Sequence, residues 1–145
     1  MPVRYQLVVD CADPDLLARF WAAALGYVPA PVPAGFATWY DFYRELGVPE
    51  EHLVEGTDRI SDPKGQGPGI WFHRVRDAKT VKNRLHLDIH AGGGWTDPIE
   101  ARRTRVDAEA TRLAALGATI TGPLSAEGLY AVGMKDPEGN EFDIN

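Results

Sequence analysis

The sequence predicts an α+β fold built from two βαβββ modules, residues 1–78 and 79–145, on three observations. The chain repeats itself: the alternating stretch at 4–10 returns at 84–90, the helix end Ala24-Leu25-Gly26 returns as Ala115-Leu116-Gly117, and the turn Asp62-Pro63 returns as Asp136-Pro137. Each half holds one amphipathic helix with proline near its first turn and glycine just past its last. After each helix the apolar period drops from 3.6 to 2, as strands require. A ferredoxin-like order would place only two strands after the first helix, so a strand at 54–61 distinguishes the longer module. The two modules are expected to form one domain over 1–145, since this length suits a single core.

In the first module, Tyr5, Leu7 and Val9 alternate with Arg4, Gln6, Val8 and Asp10, which predicts a strand. Asp13-Pro14 supplies an N-cap and a proline at the first helical position. Leu16, Leu17, Phe20, Trp21, Ala24 and Leu25 then form one apolar stripe before Gly26 stops the helix. A short strand over 27–30 runs into Pro29, Pro31 and Pro33, which cannot continue a central ladder. Residues 35–55, with Phe36, Trp39, Tyr40, Phe42 and Tyr43, read as a helical insertion. Strands at 54–61 and 70–75 flank the Asp62-Pro63-Lys64-Gly65 turn.

The second module opens on a cation-rich loop from Lys79 that leads into the strictest alternation in the chain. Leu85, Leu87 and Ile89 are expected on one face, and Arg84, His86, Asp88 and His90 on the other. Such a strand lays its apolar face on a helix and turns its polar face to water or a cavity, so it is read as the floor of a site. After the break at Gly92-Gly93-Gly94, Asp97 as N-cap, Pro98 and the capping-box Glu100 open a helix through Val106, Ala110, Leu113 and Leu116 to Gly117. Arg102, Arg103 and Arg105 are placed on its wet side. Strands at 118–121, 129–135 and 141–144 close the chain.

Composition excludes some classes of partner. Forty-four per cent hydrophobic and 25% charged residues are ordinary for a globular chain, and a net charge of −6 gives no positive field to gather nucleic acid or an anionic membrane. No apolar run approaches the roughly 18 residues of a membrane span, and no signal-peptide pattern opens the chain. Cys11 is the one cysteine, so an intramolecular disulfide is impossible and a cytoplasmic location is expected. No phosphate-binding loop or Gly-x-Ser-x-Gly elbow is present.

Phe20-Trp21-Ala22-Ala23-Ala24-Leu25-Gly26-Tyr27, Lys82-Asn83-Arg84-x-His86-x-Asp88, Leu116-Gly117-Ala118 and Asp136-Pro137-Glu138-Gly139-Asn140-Glu141-Phe142, set in paired βαβββ modules, resemble the vicinal oxygen chelate superfamily. More narrowly, the chain resembles glyoxalase-like domain proteins of the glyoxalase and bleomycin-resistance group. The resemblance implies curled mixed sheets with helices on the convex face, a concave small-molecule cavity and a homodimer. It also implies metal-ligand slots on the first and last strand of each module, here Gln6, a residue near Phe72, His86 and Asp143.

Gln6 is a weak donor and Phe72 none, so no cofactor is expected outright; a divalent metal at His86 and Asp143 is the alternative. Without metal, His86 and Asp143 are the expected catalytic pair, because an imidazole facing a carboxylate suits proton transfer near neutral pH. Gln6, Arg84, Asp88, Trp39, Trp71 and Phe72 are the expected ligand-binding residues. Asp88 and Arg84 are read as an ion pair supporting the floor, and the aromatics as stacking surfaces. The expected function is an enzyme of lyase or isomerase type acting on a small oxygenated metabolite. The alternative is a non-catalytic protein that sequesters a drug or metabolite.

Overall fold

The computed structural model describes residues 1–145, which divide into two compact units, Met1–Ala78 and Lys79–Asn145. The first unit runs β1 (Gln6–Cys11), α1 (Pro14–Leu25), β2 (Val28–Pro29), α2 (Trp39–Glu45), a 3-10 turn (Glu50–His52), β3 (Arg59–Ser61) and β4 (Gly69–Arg74). The second runs β5 (Asp88–Ile89), α3 (Ile99–Ala115), β6 (Thr119–Ala126), β7 (Leu129–Lys135) and β8 (Glu141–Ile144). Each unit forms a four-stranded mixed sheet, in the order β1-β4-β3-β2 and β5-β8-β7-β6. The two orders are the same order shifted by one module. In each the first strand lies parallel to the last and the remaining pairs are antiparallel.

Helix α1 forms where the caps predict it. The Asp13 carboxylate accepts the Leu16 N–H at 3.0 Å, and Gly26 ends the helix at φ 68, a left-handed conformation that favours glycine. Its buried positions Pro14, Leu17, Ala18, Phe20, Trp21 and Ala24 pack on β2, β3 and β4, meeting Ile60, Ile70 and Phe72 in one core. Leu16 lies outside that stripe and is 44% exposed. In the second unit, Val106, Ala110 and Leu113 of α3 face Val132, Met134, Phe142 and Ile144.

Both turns before the final strands use one device. Asp62 accepts the N–H groups of Lys64, Gln66 and Gly67, and Asp136 those of Glu138 and Asn140, so a single carboxylate closes each loop. These bonds hold the Asp62 carboxyl below its usual range.

Several expectations need correction. Strand β5 covers two residues rather than 84–90, and Leu85 is 85% exposed. Alternation reports extended backbone, but a ladder needs a neighbour: β8 begins to pair at the Asp143 N–H, which donates to the Leu87 carbonyl. Strand β3 is likewise confined to Arg59–Ser61, whereas β6 extends past 121 to Ala126 in a long hairpin with β7.

Asp97 is not the cap of α3. Pro98 holds that position without a side-chain bond, and Arg105 takes the Asp97 carboxylate at 2.6 Å, which keeps its pKa low. Arg102 is buried rather than wet, because its guanidinium lies over the Trp95 ring and donates to the Gly128 carbonyl. No helix is long and apolar enough to cross a membrane.

Candidate functional site

The alternation predicted for the second module holds from His86 onward and sets its polar groups beside β8. His86 Nδ1 lies 3.1 Å from Asp88 Oδ1 and 3.8 Å from Asp143 Oδ2, and one ligand atom from each residue fits within 4.8 Å of the others. Asp88 and Asp143 are direct partners in the β5–β8 register, which brings the two carboxylates together. On the neighbouring strand, Gly133 stands opposite Asp143. A Cβ there would come within 2.7 Å of Thr121 Oγ1 and 3.6 Å of Asp143 Oδ1, so glycine leaves the space these side chains occupy. One step along, His90 Nδ1 meets Asn145 Oδ1 at 2.6 Å, and Asn145 Nδ2 reaches Asp88 Oδ2 at 3.4 Å.

Asp88 therefore belongs to His86, not to Arg84, which is exposed in the preceding loop. That loop has its own anchor, which sequence reasoning missed. Glu141 Oε2 accepts the Asn83 N–H at 3.0 Å and lies 3.0 Å from Lys79 Nζ. These bonds hold the Glu141 carboxyl down at about 2, the Asn83 N–H contributing most. Because the folded pKa lies below the usual 4.5, the stabilisation is complete above that pH and is lost as pH falls toward about 2. Acid unfolding followed between about pH 5 and 2 should show this loss in the wild type and a shallower acid limb in Glu141→Gln. Identical limbs would contradict the tether.

In the first unit, Gln6 is exposed on β1 opposite Gly69. Phe72, expected to bind ligand, is fully buried beside Val9 on the face that α1 covers. Ile70, Trp71 and Phe72 are consecutive apolar residues, so the sequence hides which of them faces the helix. The register puts Trp71 beside Val8 and His73 beside Asp10 on the other face, where His73 Nδ1 meets Asp10 Oδ1 at 3.3 Å. By this register Trp71 corresponds to Asp143, and the Asp10–His73 pair to His90–Asn145. The first module repeats the architecture of the polar face but not its donor set.

Trp39 and Trp71 do line a cavity, of about 420 Å³, together with Tyr40, Tyr43, Asp58 and Arg59. Its aromatic wall comes from the insertion: α2 is capped by Thr38, whose hydroxyl accepts the Asp41 N–H, and the Trp39 indole donates to the Ala30 carbonyl at 3.2 Å. The Arg59 guanidinium lies over three rings, 4.8 Å from Trp39, 5.2 Å from Tyr43 and 4.7 Å from Trp71. Burial pushes the Asp58 carboxyl up, against the opposing pull of Arg59 and the Trp71 N–H. Asp58 and Arg59 were not singled out from the sequence. The only signal was an adjacent charged pair entering a strand, which is common on surfaces.

A helix laid on a mixed sheet of one strand order, repeated in two units with ionisable groups on open strand faces, defines a paired βαβββ protein. The chain belongs to the glyoxalase-like domain family, whose model matches residues 6–145. Solved structures share the fold. A hypothetical protein from S. aureus is 14% identical with a TM-score of 0.61, over 99% of this chain and 93% of that one. A glyoxalase/bleomycin resistance protein/dioxygenase family enzyme from Burkholderia phytofirmans PsJN is 18% identical with a TM-score of 0.57, over 97% and 94%. The fosfomycin resistance protein FosX from Mesorhizobium loti is 10% identical with a TM-score of 0.56, over 99% and 91%. At these identities the likeness is one of fold. No curated protein matches the sequence.

Proposed function

We propose that the protein is an acid–base enzyme of lyase or isomerase type that acts on a small oxygenated molecule at His86, Asp88 and Asp143. The observation that carries this reading is the seating of His86 Nδ1 between two carboxylates, at 3.1 and 3.8 Å. With Nδ1 turned to the Asp88 carboxylate, the imidazole keeps the Nε2 lone pair for a ligand. Nε2 takes a proton from carbon or oxygen of the bound molecule, and the flanking carboxylates stabilise the imidazolium that forms. Return of that proton to a neighbouring atom completes an isomerisation; delivery to a departing group completes an elimination. Asp88 fixes the tautomer and Asp143 adds charge.

The same three side chains offer one imidazole nitrogen and two carboxylate oxygens, a set that suits a divalent cation. His86, Asp88 and Asp143 would hold it, and it would polarise an oxygen of the ligand. The first module adds nothing comparable on its own, since the corresponding positions are Gln6, Val8 and Trp71. The reading is tested by solvent exchange: a panel of small hydroxy-carbonyl compounds is incubated with the protein in deuterated water, and deuterium uptake is measured. Uptake should be catalysed by the wild type and reduced in His86→Ala. Equal uptake in both, with or without added divalent metal, overturns it.

The cavity lined by Trp39, Trp71 and Arg59 favours a second reading, a protein that sequesters a flat ligand and releases it unchanged. In either case the two modules are proposed to work as one domain, in a cytoplasmic homodimer. Exposed apolar side chains on strands, Val8 at 48% and Leu124 at 73%, support pairing between chains. Light scattering should then give about twice the 15.9 kDa chain mass, and a monomer at micromolar concentration contradicts it.

A further inference from the structure

We infer that Glu141 is a positioning residue, one whose role rests on the acid–base reading of His86. Through the Asn83 N–H it holds the strap of chain that delivers the imidazole to Asp88 and Asp143. The internal repeat exposes this role. Trp71 corresponds to Asp143 in the register of the two sheets, so Gly69 stands in the first unit where Glu141 stands in the second, and Gln6 where His86 stands. Gln6 lies in its ladder, paired with Gly69. The ladder of the second unit starts only at Asp88 with Asp143, and His86 is left outside it.

A glycine has no side chain to replace the missing ladder, whereas Glu141 has one. It shares a face of β8 with Asp143, and its Oε2 accepts the Asn83 N–H at 3.0 Å. On the other side of His86, the Asp143 N–H donates to the Leu87 carbonyl at 3.0 Å. His86 therefore hangs between two anchors on one strand, a side chain before it and a backbone amide after it. Between Asn83 and His86 run only Arg84 and Leu85, both exposed, so burial does not hold that stretch. The His86 side chain is itself 37% exposed, and its place is set more by the backbone than by packing. Cutting the upstream anchor frees the dihedrals that keep the ring 3.1 Å from Asp88. Lys79 Nζ, 3.0 Å from the same Oε2, offsets the charge of Glu141, so the carboxylate acts on His86 by its reach and not by its field.

The test reads the His86 ring directly. In isotope-labelled full-length protein at about pH 9, where an imidazole is neutral, long-range proton–nitrogen spectra report which ring nitrogen carries the proton. The His86 signals are those lost in His86→Ala. The wild type should hold the proton on Nδ1, facing Asp88. Glu141→Ala should shift His86 to the averaged pattern of a free imidazole, speed hydrogen exchange at the Asn83 N–H, and lower catalysed proton exchange about tenfold or more. Glu141→Gln keeps the length and an acceptor oxygen and should preserve the wild-type pattern. Glu141→Asp keeps the charge, falls one methylene short, and should behave as the alanine variant does. Where Glu141→Ala fails to fold, the Gln and Asp variants decide. A fixed Nδ1–H in Glu141→Ala, or an unchanged exchange rate, overturns the inference and leaves the reading of His86 standing. Glu141→Asp matching the wild type while Glu141→Gln does not overturns it as well, because charge rather than reach then governs the ring. A wild-type His86 with no fixed proton overturns the reading and the inference together.

Discussion

Replacing His86 by alanine is expected to lower catalysed proton exchange by about 10²–10⁴-fold, the usual contribution of a positioned acid–base group. Stability should barely change. The side chain is 37% exposed, and its removal frees two carboxylates that water can solvate. The partners should rank by distance: Asp88→Asn, at 3.1 Å from Nδ1, should lower the rate more than Asp143→Asn, at 3.8 Å. A His86→Ala protein that unfolds but exchanges protons normally when stabilised would show that the imidazole holds the strand rather than the chemistry. Equal rates in wild type and His86→Ala would remove the proposed centre altogether.

The second large effect is structural. Phe72→Ala should destabilise the first unit by about 3–5 kcal/mol, since it empties a fully enclosed aromatic position between β1 and α1. Trp71→Ala, one residue earlier, removes a larger side chain that is only half-buried and opens onto the cavity, so its loss of stability should be the smaller of the two. Urea unfolding of both variants decides the matter. If Trp71→Ala is the more destabilising and Phe72→Ala leaves the midpoint unchanged, the faces of β4 are assigned the wrong way round. Leu87→Ala belongs to the same series: Leu87 is half-buried rather than enclosed, so its effect should fall below the 2–5 kcal/mol of a full core truncation.

The order of elements was legible in the chain because local chemistry wrote it. Asp13-Pro14 and Gly26 bound α1 in the structure as they do in the sequence, and the Asp-Pro turns close both modules by the same carboxylate bonds. The alternation from His86 to His90 placed His86 and Asp88 on the polar face of β5, and with Asp143, supplied by the resemblance, all three residues of the cluster were named. These signals need only a residue and its neighbours within a turn or two.

What tertiary structure decided is how far pairing extends and which partner each polar group takes. Leu85 alternates with its neighbours yet stands in water, because the strand beside it begins only at β8 and the Glu141 side chain holds the loop instead. Asp88 could face Arg84 or His86 from sequence alone; the β5–β8 register set it beside Asp143 and His86. Asp97 lost its capping role to Arg105, and Arg102 was drawn inward by Trp95 and the Gly128 carbonyl. Phe72 turned to the helix and Trp71 to the open face, a choice that three consecutive apolar residues leave undecided because they carry no period. Amphipathic patterns and caps are properties of adjacent residues, so the sequence displays them directly. Register and side-chain partnership join residues tens of positions apart, and only the packed chain brings those residues together.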